Sequence, residues 1–487
     1  MVGFNPEDFI TLYPGVYTEK ERALVKQYIA ESKALEERGP IDVQALINGT
    51  LPEGTPGIGP RLVVTESMVR YNNQKYDPEN PLLHDAEYAQ KLGYQSILAM
   101  PCFGAHDDSF MSPYPPEARD TLLVSQLNHS ATCYKPIYPG DTLYFVFNSR
   151  RMADRTPAEG ALYRSVAICC EGSVYNQRGE KVNDVVFRVM ESIKIYKEGK
   201  RPEVMGFAQL WESPDWLSRP AHVYTDEDWD FIRYCWRKEK RQGAEPLYWE
   251  DVKVGDEPTW TVDGPILETV IPTAPYGMGT GGSRTLKKEL LDPRMAKTLI
   301  KEETDGIYRL PNPADYIPAV PDGVTAVLET AASDATNAIN TVDIHNQSDT
   351  IHTADIHKQT DERGVLINFL GRDIAIRHIN NWMGDHGWLH NIRWGIIPAE
   401  AQADYGKKVP LNPEAEYFLN KIPYMKGKCP RVHGLTQDLA IVKSYLYDKY
   451  VCGGECFAEL AWWIETIEGD IWLAGGATVK LPSRRIK

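Results

Sequence analysis

The residues best suited to chemistry are gathered in one stretch, TVDIHNQSDTIHTADIHKQTDE, which carries His345, His352 and His357 among Asp343, Asp349, Asp355 and Asp361. The words DIHNQSD and DIHKQTD recur twelve residues apart within it. A second pairing lies far upstream, where Asp77 and His84 stand seven residues apart in DPENPLLH. A carboxylate and an imidazole within hydrogen-bond reach of one water can hold and deprotonate it near neutral pH. The same residues also suit a hydrated, exposed loop. Metal ligation is disfavoured, because the histidine-rich stretch contains neither HxH nor HxxxH spacing. Other chemistries find little support. YGMGTGGSRT (276–285) lacks the Lys-Ser/Thr of a phosphate loop and reads as a flexible loop. No GxSxG elbow supports a serine nucleophile.

The elements around these residues fall into two similar halves. Thr18 and Glu21 form a capping box in front of a charged helical run. A Gly/Pro loop follows at 49–59, and the second part of DPENPLLHDAEYAQKLG reads as helical. LLVSQLNHSATCYKPIYPGDTLYFVFN then reads as strand, Pro/Gly turn, strand, and two further β-rich runs meet at the tight turn NQRGE. Residues 197–246 are Pro-rich and irregular, with a charged helix whose N-cap is Thr225. A second unit opens at LYWEDVKVGDEPTW and contains a polar insertion at about 280–322. It then places a helix in FLGRDIAIRHINNWMGDHGWL and closes with two strand runs joined by IEGD. Trp382, Trp462 and Trp463 read as core or pocket wall, and Arg372, Arg377, Arg484 and Arg485 as solvated surface.

The words NPLLHDAEYAQKLGYQSILAMPCF, PIYPGDTL, YWEDVKVGD, NNWMGDHGWL and LAGGATVKLP carry a resemblance. The chain resembles the MaoC-like (R)-enoyl-CoA hydratase/acyl dehydratase family, in particular its long double-hotdog members with an FAS1-like dehydratase half. The resemblance implies hydration of 2-enoyl thioesters or dehydration of 3-hydroxyacyl ones. It also implies an Asp and a His on the loop before the central helix, spaced D-x-N-P-[LIV]-H, with backbone N–H groups at the helix start holding the enolate oxygen. The first half departs from that spacing. Aligned on Asn80-Pro81, the Asp position holds Pro78 and the His position holds Leu83. That departure favours a first half that shapes an acyl pocket, although a looped insertion could still join Asp77 to His84. In the second half Ile356-His357 fits the family's pair, but His352 stands where Asp is expected. Asp349 or Asp355 must then substitute, or two histidines do the work.

Composition narrows the class further. The chain has 487 residues, 42% of them hydrophobic and 25% charged, so it is globular and long enough for two large domains. A net charge of −15 argues against nucleic acid, which demands a cationic face, but leaves room for an anionic small ligand. The first residues lack a signal peptide's basic start, and no run approaches the ~18 apolar residues of a membrane helix. Eight cysteines without a framework read as free thiols of a reducing cytoplasm. The 12 Trp and 26 Tyr suggest a bulky or aromatic acyl group.

Together these readings predict an α+β double hotdog, two antiparallel sheets each wrapped around a central helix. Residues 1–198 form the first unit with a helical extension, 199–246 a linker with a helix, and 247–487 the second unit. The expected activity is that of a cytoplasmic hydro-lyase acting on an acyl-CoA, with no cofactor and no metal. The candidate residues are His357, Asp355, Asp349 and His352, with Asp77 and His84 as the first-half alternative. A homodimer is expected. The alternatives are a non-catalytic acyl-CoA-binding subunit of a larger complex and an acyl-CoA thioesterase.

Overall fold

The structure, a computed structural model, describes residues 18–104, 122–154, 163–194, 219–266, 287, 290–294, 296–309, 368–395 and 413–486. The first unit contains α1 (Glu19–Arg38), α2 (Val43–Asn48), β1 (Ile58–Val63), α3 (Glu66–Tyr76), α4 (Pro81–His84) and α5 (Ala86–Lys91). Four long strands complete it: β2 (Leu122–Cys133), β3 (Thr142–Asp154), β4 (Tyr163–Asn176) and β5 (Lys181–Lys194). After α6 (Asp226–Lys238), the second unit contains β6 (Thr261–Asp263), a small ribbon of β7 (Ile300–Lys301) and β8 (Tyr308–Arg309), and the helix α7 (Asn368–Met383). It continues with β9 (Trp388–Gly395), α8 (Pro413–Leu419), β10 (Ala440–Cys452), β11 (Glu455–Glu465) and β12 (Ile471–Leu481).

Ten of these strands form one sheet, ordered β1-β3-β4-β5-β2-β9-β12-β11-β10-β6, with every pairing antiparallel. The order is a palindrome. Numbered within its own half, each unit runs 1-3-4-5-2, the strand order of a hotdog, and the two meet where β2 pairs with β9 from Asn128↔Gly395 to Thr132↔Asn391. The sheets of the two units thus run on as one, because joining β2 to β9 satisfies two edges that would otherwise stand open.

Burial explains the strands of the second unit. In β11, ECFAELAWWIE, every residue from Cys456 to Ile464 is buried, as a strand covered on both faces must be. Ala458, Leu460, Trp462 and Ile464 join the main core with Leu370, Ile374 and Ile379 of α7. Ala461 and Trp463 on the opposite face pack with Ala415, Phe418 and Leu419 of α8. The period-two alternation of a strand assigns these side chains to two layers. The tryptophans expected in the core are there.

The predicted capping box of Thr18 with Glu21 is present on α1, and the predicted N-cap Thr225 forms a second box with Asp228 on α6. The helix inside the predicted linker buries Trp229, Ile232, Cys235 and Trp236 against Val262, Leu439 and Ile441 of the second unit. Trp229 Nε1 donates to Gly306 O at 2.7 Å and Trp236 Nε1 to Val262 O at 3.0 Å.

Two expectations about α7 need correction. The helix stops at Met383, where Gly384 takes a left-handed φ of +69°, and Trp388 onward is strand. Arg372 and Arg377, read as solvated, are 5% and 0% exposed. The helix is enclosed by both units; Arg372 pairs with the adjacent Asp373, and Arg377 finds partners distant in sequence. Close packing begins at its first turn: a Cβ on Gly371 would lie 2.3 Å from Leu473 Cδ2. No helix among the described residues is long and apolar enough to cross a membrane.

Candidate functional site

A cleft opens where the first unit's α3–α5 segment meets the C-terminal end of α7. Its walls are largely apolar, with Leu82, Leu98, Met100 and Ile137 from the first unit and Met383 and Leu389 from the second. Asn80, Asn183, Asn380 and Asp385 supply polar groups. The narrow interior has a volume of about 40 Å³, room for roughly three waters. An apolar cleft with few convergent polar groups is the usual form of a small-molecule site.

One side chain organises the first unit's wall. Asn73 on α3 is fully buried; its Nδ2 donates to Leu83 O at 2.8 Å and Leu98 O at 2.7 Å, and its Oδ1 accepts from Met100 N at 3.1 Å. It therefore fixes three segments of wall at once. Asn80 caps α4, its Oδ1 accepting from Leu82 N at 3.1 Å, with Pro81 at the first helical position, where no N–H is needed.

The floor is held by a network that crosses between units. Arg241, in the chain that follows α6, donates to both Asn80 Oδ1 and Asp385 Oδ1. Tyr88 Oη donates to Asp385 Oδ2 at 2.5 Å, and Tyr94 Oη to Asp385 O at 3.3 Å. Burial, then the Asp385 carboxylate, pushes the Tyr88 phenol up to about 12, so it remains a donor at neutral pH. Burial likewise lifts Tyr94 to about 12. Asp385, 3% exposed, is thus a clamped carboxylate that ties the end of α7 to α5. Asn380 Oδ1, buried beside it, has no hydrogen-bond partner among the described residues.

A second buried network lies on the other side of the Asp77–His84 loop. Arg377 pairs with Glu239 and, at 2.8 Å, with Asp263, and the two carboxylates hold its guanidinium well above the ordinary arginine range despite burial. Lys287 Nζ lies 3.2 Å from Glu239 and 2.7 Å from Glu79, and Asn381 Nδ2 donates to Glu239 at 2.9 Å. His378 is enclosed between Thr261 Oγ1 at 3.2 Å and Ser444 Oγ at 2.8 Å. Burial, with Arg377 adjacent, lowers His378 to about 3, so it is neutral. A buried neutral histidine satisfied by two hydroxyls is a core residue.

The looped insertion does bring His84 against the main chain of Asp77. His84 Nε2 lies 3.0 Å from the main-chain oxygen of Asp77, and the Asp77 carboxylate accepts from Asn80 Nδ2 at 3.1 Å. Neither side chain lines the cleft. His357, Asp355, Asp349 and His352 lie outside the described residues. Among the groups that line or hold the cleft, Asn73 and Arg241 carry no sequence signal, whereas Asn380 opens the word NNWMGDHGWL. Tyr88 and Asp385 fall inside the words NPLLHDAEYAQ and NNWMGDHGWL.

No family model matches this chain, and no curated protein matches it. Solved structures do. A MaoC domain protein dehydratase from Chloroflexus aurantiacus J-10-fl shares 12% identity over 88% of this chain and 94% of its own, with a TM-score of 0.40. A conserved hypothetical protein from Mycobacterium tuberculosis, described as having a double hotdog fold, shares 10% identity over 91% and 98%, with a TM-score of 0.41. A MaoC-like dehydratase shares 15% identity over 87% and 95%, with a TM-score of 0.40.

Proposed function

We propose that this protein is a hydro-lyase that adds water to a 2-enoyl-CoA or removes it from a 3-hydroxyacyl-CoA. The observation that carries the reading is the cleft built jointly by two hotdog units, apolar along its walls and polar at its floor. An acyl chain would lie against Leu82, Leu98, Met100, Ile137, Met383 and Leu389. His357 with Asp349 or Asp355 would hold the water, because the Asp77 carboxylate and His84 Nε2 are already engaged locally. In the hydration direction the water's oxygen bonds to the β-carbon while its proton passes to the imidazole. The α-carbon gains a proton and the thioester stays intact.

The test is a panel of linear, branched and aromatic 2-enoyl-CoAs, followed by loss of the conjugated thioester absorbance. Turnover of at least one member without thiol release is the expected result. Thiol release would make the protein a thioesterase instead. A second reading, an acyl-binding subunit without catalysis, is favoured by one observation: among the described residues lining the cleft there is no histidine. Binding of an acyl-CoA with no turnover, alone or after addition of a co-purifying chain, would establish it.

A further inference from the structure

We propose that Cys102 and Cys133 are a modification site, a dithiol in the cleft wall that a hydroperoxide converts to a reversible disulfide. The two sulfurs lie 3.8 Å apart, and both residues line the cleft while being only 3% and 2% exposed. They come from different elements. Cys133 is the last residue of β2, its carbonyl accepting from Trp388 Nε1 at 2.7 Å. Cys102 lies in the turn that follows Pro101 and adopts a φ of 68°. That left-handed conformation is uncommon for a residue with a Cβ and persists only where the surroundings hold it. Here it is the backbone state in which the Cys102 thiol meets Cys133.

The surroundings suit a two-step oxidation. The cleft interior, about 40 Å³, admits a molecule of peroxide size. The sulfur–sulfur hydrogen bond lowers Cys133 and raises Cys102, and nearby Arg372 favours the thiolate of either. Cys133, held at the end of β2, is taken as the attacking sulfur and Cys102 as the resolving one. Its thiolate takes one oxygen from the hydroperoxide as the O–O bond breaks, giving Cys133–SOH and hydroxide. Cys102 then attacks the Cys133 sulfur, the S–O bond breaks, and water leaves with the Cys102 proton. Two thiols and one hydrogen peroxide thus give one disulfide and two waters. Bonding shortens the separation from 3.8 Å to roughly 2.05 Å, drawing the Cys102 turn toward the end of β2.

The experiment uses the full chain carrying Cys452→Ser, since Cys452 is exposed and would react on its own. The protein is treated with hydrogen peroxide, unfolded in an alkylating agent and mapped by mass spectrometry. The expected product is a peptide joining Cys102 to Cys133, lighter by two hydrogens, which a dithiol reductant separates. Adding Cys102→Ser should trap Cys133 as a sulfenic acid labelled by a cyclic dione, whereas Cys133→Ser should leave Cys102 as a thiol. Recovery of both cysteines as alkylated thiols after treatment, or as sulfinic acids with no crosslink, overturns the proposal. Labelling of Cys102 in the Cys133→Ser chain overturns the assigned order of attack. The map of the Cys452→Ser chain decides the main point even if the other variants fold poorly, and it needs no assay of turnover.

Discussion

The two units share a strand order but treat the segment between their first and second strands in opposite ways. In the first unit the segment after β1 breaks into α3, α4 and α5, and the turns between them carry Asp77, Asn80 and His84 at the edge of the cleft. In the second unit α7 runs unbroken for 16 residues and buries Arg372, Asp373, Arg377 and His378. The broken segment offers backbone and side-chain groups to a ligand. The continuous helix pairs its buried charges with carboxylates of the protein and fixes the cleft's far wall. The partners that hold each segment come from outside it: Lys287 and Arg241 reach Glu79 and Asn80 of the first unit, and Glu239 and Asp263 reach Arg377 of the second.

The sharpest way to break this comparison is by kinetics. If chemistry belongs to the second unit, His357→Ala should lower hydration by about two to four orders of magnitude. His84→Ala should leave turnover nearly unchanged, losing a hydrogen bond of about 1 kcal/mol. A dead His84→Ala enzyme beside a healthy His357→Ala one would reverse the roles of the halves. Melting curves of both variants must accompany the rates. A large effect is also expected on stability. Arg377→Met leaves Glu239 and Asp263 buried without their cation, at a cost of about 3–5 kcal/mol in chemical denaturation. A loss below about 1 kcal/mol would mean that Lys287 and Asn381 alone suffice for Glu239.

Asn73→Ala probes the first unit in the same manner. It removes the partner of Leu83 O, Leu98 O and Met100 N, and unfolding free energy should fall by about 1–3 kcal/mol. Ligand affinity should fall with it if Asn73 shapes the wall, and an unchanged affinity would confine its role to folding. A further effect, spread over several pH units, is a dependence on acid. Burial lowers His378 to about 3 and His433 to about 4 in the folded chain, below the ordinary histidine range near 6.5. The unfolded chain therefore binds more protons once the pH drops below that range. Stability should be full above it and fall on acidification, by about 1.4 kcal/mol per pH unit for each group. The decline from His433 should level off near pH 4, and that from His378 continue toward pH 3. A His433→Gln variant should show a shallower slope between pH 6 and its floor near 4, and an unaltered slope would remove His433 from the account.

Local signals made the elements legible. Thr18-Glu21 and Thr225 mark helix starts because a capping side chain acts within its own turn. NQRGE and IEGD mark hairpins because a tight turn is decided by a few consecutive residues. The all-apolar run AWWI in β11 already required cover on both faces. The words around Asn80-Pro81 and Gly384-Asp385 likewise pointed to the segments that line the cleft.

Tertiary structure decided what those segments do. Nothing in FLGRDIAIRHINNWM separates a solvated arginine from a buried one, since the difference lies in Glu239 and Asp263, more than a hundred positions away. The spacing of Asp77 and His84 permitted a water-holding pair, yet the fold gave His84 a backbone oxygen and Asp77 the amide of Asn80. Nor does the sequence place Cys102 beside Cys133, which needs a left-handed turn set against the end of a strand. Secondary structure depends on neighbours along the chain, so the sequence alone determined it. Burial, ion pairing and the contents of a cleft depend on neighbours in space, which only the continuous ten-stranded sheet and its helices brought together.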